Sequence, residues 1–349
     1  MDGTAGVDGL DGVVVCLGAC AIDMMFTVDR LPEPDEMVFA EGEVGFFPGG
    51  STANIAAGIG RLGYPSRFVG RTGDDENGRK LRQAFESDGV DVRWLSEIKG
   101  GRTAQTIIAV DRRGERVIYS LGGEAILQEP DEFEDVAMEG AEILYIGEVL
   151  PDVAARAIQL ARSYGVTVVY GPGGGISWID SATLYQLLKE CDYVLLSRGE
   201  LDAVTSCPSH TEGAGRLLET GVRNVIVTLG SDGSECHSRG AGRSPWYGSS
   251  WNGRAGDVAH DMVNGSSNGR GTNTVLRAES FRVTNVVDTT GAGDSFAAGF
   301  ITGLLRGFDI VECLERGNAC AALAIQKTGA REAMPTSEEL EEFLRYAER

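Results

Sequence analysis

The run Asp288-Thr289-Thr290-Gly291-Ala292-Gly293-Asp294 puts three small residues and an aspartate directly ahead of Ala297, Ala298, Phe300, Ile301, Leu304 and Leu305, which are apolar at helical spacing. The amides of Gly291, Ala292 and Gly293 then fall in the first turn of a helix, where they have no partner within it and attract a phosphate. A carboxylate beside a bound phosphate is electrostatically awkward unless it faces a hydroxyl. Asp294 in that position takes the hydroxyl proton while the amides stabilise charge on a phosphoryl group in transfer. An isolated Gly-x-Gly would say no more than that a strand turns tightly into a helix, with Asp294 as a dipole-favoured first-turn acid. A second cluster, Gly49-Gly50-Ser51-Thr52-Ala53-Asn54, repeats the pattern near the other end of the chain. Backbone exposed there approaches a polyhydroxy ligand closely, and Asn54 can both donate and accept.

These loops need elements to hold them. Short apolar runs at Val13 to Leu17, Arg67 to Val69, Ile143 to Ile146, Thr167 to Tyr170, Tyr193 to Leu196 and Asn224 to Leu229 read as buried parallel strands. Amphipathic helical stretches alternate with them: Asn54 to Leu62, Gly78 to Ser87, Val153 to Tyr164, Ala182 to Lys189 and Thr211 to Thr220. The alternation implies a layered α/β/α sandwich with a mostly parallel central sheet and right-handed crossovers. Two regions, about 24–47 and 101–123, break it. Gln105 to Val110 and Arg116 to Leu121 flank the turn Asp111-Arg112-Arg113-Gly114 and read as a hairpin, with a second strand pair nearby. A small β-sheet inserted this way serves as a lid over substrate, as an edge extension or as a dimer surface. Residues 238–274, rich in Gly, Ser, Asn and Arg, predict a flexible surface insertion, and 336–349 a C-terminal helix after a main domain of 13–335.

With 52 acidic against 31 basic residues and a net charge of -21, the surface repels nucleic acid and anionic membranes, which argues against either as a partner. Lys80, Lys99, Lys189 and Lys327 are the only lysines, a balance that fits a protein living in concentrated salt as well as an ordinary acidic one. No apolar run spans a membrane and the N-terminus lacks a secretory pattern, so the expected location is the cytoplasm. Seven cysteines without a Cys-x-x-Cys pair read as reduced thiols in the core. His210, His237 and His260, all in polar, turn-rich contexts, leave little material for a histidine-based zinc site or a Ser-His-Asp triad.

Together, Gly49-Gly50-Ser51-Thr52-Ala53-Asn54 and Asp288-Thr289-Thr290-Gly291-Ala292-Gly293-Asp294 resemble the two signatures of the ribokinase (PfkB-type) family of carbohydrate and nucleoside kinases, and by motif order the resemblance runs from Val13 to Pro335. It implies a ribokinase-like fold and ATP-dependent transfer to an alcohol, with Asp294 as base and Gly291, Ala292 and Gly293 as anion hole. Asp23, Gly49, Gly50, Asn54 and Glu148 correspond to substrate-binding positions, although Asp23 alone reads equally well as a turn cap. Thr228, Gly230, Ser231 and Gly233 match the nucleotide-phosphate turn, and Asn318, at one end of a helix from Gly317 to Lys327, matches the closure over the nucleotide. Glu200 corresponds to a residue that orders Mg2+ through water, and Asp288, Thr290 and Gly329 to a monovalent-cation site that takes K+.

The chain also departs from the family. Ser197 replaces the asparagine of the Asn-x-x-Glu element that ends in Glu200; Gly171-Pro172-Gly173-Gly174-Gly175 replaces an Asp-Pro segment; Ala21 and Ser51 stand where ribokinases carry asparagine and lysine. These changes weaken the case for ribose. The acceptor is expected to be a small carbohydrate, with a nucleoside, a keto-deoxy sugar acid or a sugar phosphate as alternatives within the family. A phosphorylated acceptor needs a basic clamp, for which Arg102, Arg112 and Arg113 are either candidates or merely solvent-exposed hairpin charges. A catalytically weak ligand-binding or regulatory protein on the same fold is the alternative of another class. A homodimer through the lid is the expected assembly if one forms.

Overall fold

A computed structural model describes residues 12–239 and 273–347. In chain order the elements are β1 (Val13–Leu17), β2 (Ala21–Val28), β3 (Ala40–Gly49), α1 (Ser51–Arg61), β4 (Ser66–Gly73), α2 (Glu76–Ser87), β5 (Val90–Ile98), β6 (Gln105–Asp111), β7 (Arg116–Ser120), β8 (Ala141–Ile146), α3 (Pro151–Tyr164) and β9 (Thr167–Tyr170). They continue with α4 (Ser181–Leu188), β10 (Tyr193–Ser197), α5 (Arg198–Thr205), α6 (His210–Thr220), β11 (Asn224–Thr228), β12 (Ser234–Arg239), β13 (Asn273–Ala278), α7 (Ala292–Leu305), α8 (Ile310–Ala324) and α9 (Ser337–Tyr346).

Nine strands form the main sheet in the order β13-β12-β11-β10-β9-β8-β1-β4-β5. The seven from β11 to β5 run parallel, and β12 and β13 close one edge antiparallel. Strands buried on both faces explain the continuous apolar runs. Along β1, Val14 and Cys16 enter the core on one side while Val15 and Leu17 enter the core on the other. Residues of α1, α2, α7 and α8 fill the first core and those of α3, α4, α5 and α6 the second, which makes the three layers. Helix α7 is buried on all sides from Ser295 to Leu305, the pattern of a helix enclosed by the core rather than lying on it. From β1 the chain passes to β4 and β5 on one side and later to β8 through β11 on the other. Ligands of parallel α/β sheets bind at such a reversal, outside the carboxyl ends of the strands.

The four strands that break the alternation form a separate sheet, β3-β2-β6-β7, the lid. Its register puts Phe47, Asp23, Thr106 and Ser120 in one row and Phe46, Met24, Ile107 and Tyr119 in the next. Adjacent rows face opposite ways, so one face carries Asp23 and Thr106 and the other an apolar band. Phe46 and Tyr119 in that band are 59% and 60% exposed.

Some expectations change. Strands β5, β12 and β13 carry many charged or polar residues and were not anticipated. Of the expected insertion at 238–274, residues 238–239 and 273–274 end and begin strands, and 240–272 lie outside the described residues. The helix expected from Gly317 to Lys327 is α8, which starts earlier because Asp309 accepts from Glu312 N at 2.9 Å and caps it; Asn318 therefore sits in mid-helix. Asp23, which by itself reads as a turn cap, lies within lid strand β2. His237 is buried on β12 and His210 opens α6, while His260 is outside the described residues. All seven cysteines are free, and all but Cys207 are buried. Among the described residues no helix is long and apolar enough to cross a membrane.

Candidate active site

Gly291 turns the chain into α7 with φ 75°, a conformation that favours glycine, and a Cβ there would stand 2.8 Å from Ala330 Cα. Ala292 is the first helical residue and donates to Thr289 O at 3.3 Å, Gly293 is exposed beside it, and Asp294 follows in the first turn. The amides and the carboxylate thus share one helix end.

Helix α1 supplies the groups that hold Asp294. Ser51 Oγ donates to Asp294 Oδ1 at 2.7 Å, and Asn54 Nδ2 donates to Oδ2 at 2.9 Å. The carboxylate can only accept, so the Asn54 amide must face it with its nitrogen. Burial pushes the Asp294 pKa above the ordinary carboxylate range; Ser51 and Asn54 act against that shift, and the charges of Asp23 and Glu200 add to it. The outcome is an oriented carboxylate of raised basicity next to a helix N-terminus.

Asp23 Oδ1 accepts from Thr106 Oγ1 at 2.6 Å, across the lid strands. A Cβ on Gly49 would lie 1.9 Å from Asp23 Oδ2, so only glycine lets α1's entry loop pass this carboxylate. Burial raises the Asp23 pKa, with Thr106 and Arg331 opposing. Glu148, just past β8, accepts from Thr52 Oγ1 at 3.0 Å. Burial, helped by the charges of Asp294 and Glu200, pushes its pKa up to about 7 against that bond. Asp23, Glu148 and Asp294 make the cleft strongly acidic.

Thr228 ends β11, and Gly230 to Asp232 form a single turn closed by Leu229 N donating to Gly233 O at 2.8 Å. Ser231 lies in that turn, its carbonyl accepting from Ser280 Oγ at 2.5 Å. Asn318 is buried on α8, and Nδ2 donates to the carbonyls of Ala278 and Glu279, both at 3.1 Å. Its amide donors thus fix the chain leaving β13.

Glu200 forms a capping box with Ser197: Oε2 accepts from Ser197 N at 2.6 Å, and Ser197 Oγ accepts from Glu200 N at 3.2 Å. Serine in place of asparagine therefore caps α5. Among the described residues no group of three His, Cys, Asp or Glu side chains is arranged to hold a metal ion. A single carboxylate with one oxygen still available fits Mg2+, which keeps most of its waters and takes its other ligands from phosphates. Asp288 Oδ1 accepts from Thr290 N at 2.8 Å and Oδ2 from Gly329 N at 3.0 Å, so the three residues of the expected monovalent-cation site are neighbours. Burial opposes ionisation of Asp288, but bonds from Thr290 and Gly329 and the charge of Arg116 hold its pKa below the ordinary value.

Two arginines were missed. Arg116, at the start of lid strand β7, donates from Nη1 to Thr290 Oγ1 at 3.2 Å and so ties the lid to the loop before α7. Arg331 lies buried beyond Ala330. Neither role has a local signal, because each depends on a contact between distant parts of the chain. The three lid arginines considered for a phosphate clamp are otherwise engaged: Arg112 pairs with Asp29 and Glu41, Arg113 with Asp111 and Glu115, and Arg102 donates to Leu121 O.

The family model described as pfkB family carbohydrate kinase matches residues 12–247 and 264–337. An ATP-dependent ribose-1-phosphate kinase of Halopiger xanaduensis is 31% identical over 95% of this chain and 97% of its own length. A 5-dehydro-2-deoxygluconokinase of Bacillus licheniformis is 29% identical over 95% of each chain. The structure of Arabidopsis thaliana ribokinase complexed with ribose and ATP superposes with a TM-score of 0.76 at 24% identity, covering 96% of this chain and 99% of that one.

Proposed function

Because the chain belongs to the pfkB family of carbohydrate kinases, ATP-dependent phosphotransferases on a ribokinase-like α/β fold, we propose that it moves the γ-phosphoryl group of ATP to a hydroxyl of a small carbohydrate, with Asp294 as general base. The observation that carries this reading is the pairing of Asp294 with Ser51 and Asn54 at the first turn of α7.

The acceptor hydroxyl gives its proton to Asp294 as its oxygen attacks the γ-phosphorus, and the bond to the bridging oxygen of ADP breaks. Raised basicity suits Asp294 to that task. The amides of Gly291, Ala292 and Gly293 stabilise the transferring group, while Asp23, Gly49, Gly50, Asn54 and Glu148 hold the sugar. Thr228, Gly230, Ser231 and Gly233 bind the nucleotide phosphates, with Asn318 keeping the adjoining chain in place. Glu200 would hold Mg2+ through water, and the bound ion would supply positive charge to the phosphates. K+ bound by Asp288, Thr290 and Gly329 would stiffen the anion-hole loop. Arg116 brings a lid-borne positive charge to the same loop and closes the site over the reactants.

A sugar phosphate is the second acceptor reading, favoured by the ribose-1-phosphate kinase relative. The acidic lining of the cleft and the engaged lid arginines favour an uncharged sugar. The test is ADP release with ATP, Mg2+ and K+ over ribose, ribose 1-phosphate, fructose, 2-keto-3-deoxygluconate, fructose phosphates and adenosine. Substrate-dependent release that Asp294→Asn abolishes supports the reading. Release that survives the substitution removes Asp294 as the base, and silence with retained sugar binding points to a binding protein.

A further inference from the structure

Thr52, in the first turn of α1, is fully buried although its side chain is polar. Its hydroxyl fills a notch over the ends of two paired strands. A Cβ on Gly18, just past β1, would stand 2.2 Å from Thr52 Oγ1, and one on Gly147, just past β8, would stand 1.8 Å from it. Gly147 N donates to Leu17 O at 2.9 Å and keeps the two strand ends together. A β-branched side chain in a helix has few χ1 choices, and close packing in the notch removes others, so the hydroxyl has a fixed direction. It points at Glu148, whose Oε2 accepts from Thr52 Oγ1 at 3.0 Å.

Among the described residues Thr52 is the one side chain that donates to Glu148, and no cation pairs with it. The ionisable groups around Glu148 are Asp294 on α7 and Glu200 on α5, both acidic, with Tyr145 on β8 and Tyr170 on β9, which burial keeps neutral. On the far side of the carboxyl, a Cβ on Gly173 would stand 2.6 Å from Oε1, so the turn after β9 borders that oxygen with backbone alone. Part of the Glu148 surface is open to solvent. One helical turn therefore grips two carboxylates: Ser51 and Asn54 hold Asp294, and Thr52, between them in the chain, holds Glu148.

We propose that Thr52 is a positioning residue for the acceptor: its buried hydroxyl holds Glu148 Oε2 so that Oε1 is presented to a sugar hydroxyl, at a separation from Asp294 set by the first turn of α1. The proposal rests on the kinase reading above and adds to it the group that aims the acceptor subsite. A donated hydrogen bond favours the ionised carboxylate, whereas burial and the charges of Asp294 and Glu200 favour the protonated one. Without the Thr52 hydroxyl, Glu148 keeps its proton to higher pH and turns more freely. An ionised carboxylate also accepts from a sugar hydroxyl more strongly than a protonated one.

Thr52→Val keeps the shape of the side chain and removes the donor. Steady-state kinetics across the pH range test it, with the panel sugar of highest kcat/KM as the probe, starting from D-ribose. The limb of kcat/KM that Glu148→Gln removes should move up by about one pH unit in Thr52→Val, and KM for the sugar should rise about tenfold below it, while kcat and KM for ATP stay within about twofold. Thr52→Ser, which keeps the hydroxyl, should restore the wild-type limb, and in a Glu148→Gln background the Thr52→Val effect should vanish. An unmoved limb, an equal effect on kcat and on KM for ATP, or an undiminished effect alongside Glu148→Gln overturns the proposal and leaves Thr52 a packing residue. Should Thr52→Val not fold, Thr52→Ala is put through the same cycle with Glu148→Gln, and strict additivity overturns it. A wild-type protein inactive on the whole panel overturns the kinase reading instead, and calorimetric sugar affinity over the same pH range then reads the Thr52→Val shift.

Discussion

Ser51 and Asp294 are 243 residues apart in the chain, and the serine hydroxyl donates to the aspartate at 2.7 Å. Together with Asn54 it fixes the carboxylate plane and leaves fewer lone pairs to aim at a substrate. Orientation is bought at some cost in basicity, since both donors lower the pKa that burial raises.

Asp294→Asn should reduce kcat by about a hundredfold to ten-thousandfold, the range for losing a general base, with little change in binding of ATP or acceptor. Ser51→Ala should cost far less, about tenfold, because Asn54 still orients one oxygen. Single-turnover kinetics beside calorimetric binding separate the two quantities.

The pH dependence of stability follows from Glu148. Its folded pKa, raised to about 7, lies above the unfolded value, so its contribution is most favourable below the unfolded pKa and is lost as pH climbs through about 7. Glu148→Gln should therefore raise Tm at pH 8 by about 2 °C or more, with a smaller change near pH 5, while weakening the acceptor. Thermal denaturation at the two pH values checks the sign. A larger gain at low pH would contradict it.

Arg116→Ala should raise KM for ATP and lower kcat, about tenfold in kcat/KM, because the lid loses its tie to Thr290. Circular dichroism should be unaffected, since Arg116 is exposed and outside both cores.

Salt dependence has a general and a specific part. A net charge of -21 repels itself, so Tm should rise with KCl and NaCl alike as charges are screened. Any activity gained with KCl beyond NaCl should disappear in Asp288→Ala, which removes the carboxylate joining Thr290 to Gly329.

If two copies of the chain pair through the apolar lid row Phe46, Met24, Ile107 and Tyr119, Phe46→Asp should shift sedimentation toward the monomer at equal concentration. A wild-type protein that sediments as a monomer would remove that assembly.

The turn into α7 and the lid hairpin were readable because both rest on local patterns. Asp294 and its glycines lie within one turn, and the hairpin from Gln105 to Ser120 announces itself by alternation around Asp111 to Gly114. Strand β12 was not readable, because Glu235 and His237 are buried there as a pair, with His237 Nε2 at 2.9 Å from Glu235 Oε2, and polar residues look like a loop until their partner is known. Asn318 reads as a helix end because Glu312, Glu315 and Arg316 interrupt the apolar period, although Arg316 is itself buried on α8. Arg116 and Arg331 act through contacts that no spacing rule encodes.

Asp23 rides on a lid strand, whereas Asp294 belongs to the helix enclosed by the core. On the proposed mechanism, the carboxylate that binds the acceptor therefore sits on the small sheet and the one that deprotonates it on a helix of the main core, so that a bound sugar would bridge the two. On that mechanism the arrangement would protect ATP from idle hydrolysis, because the acceptor would complete the lid side of the site.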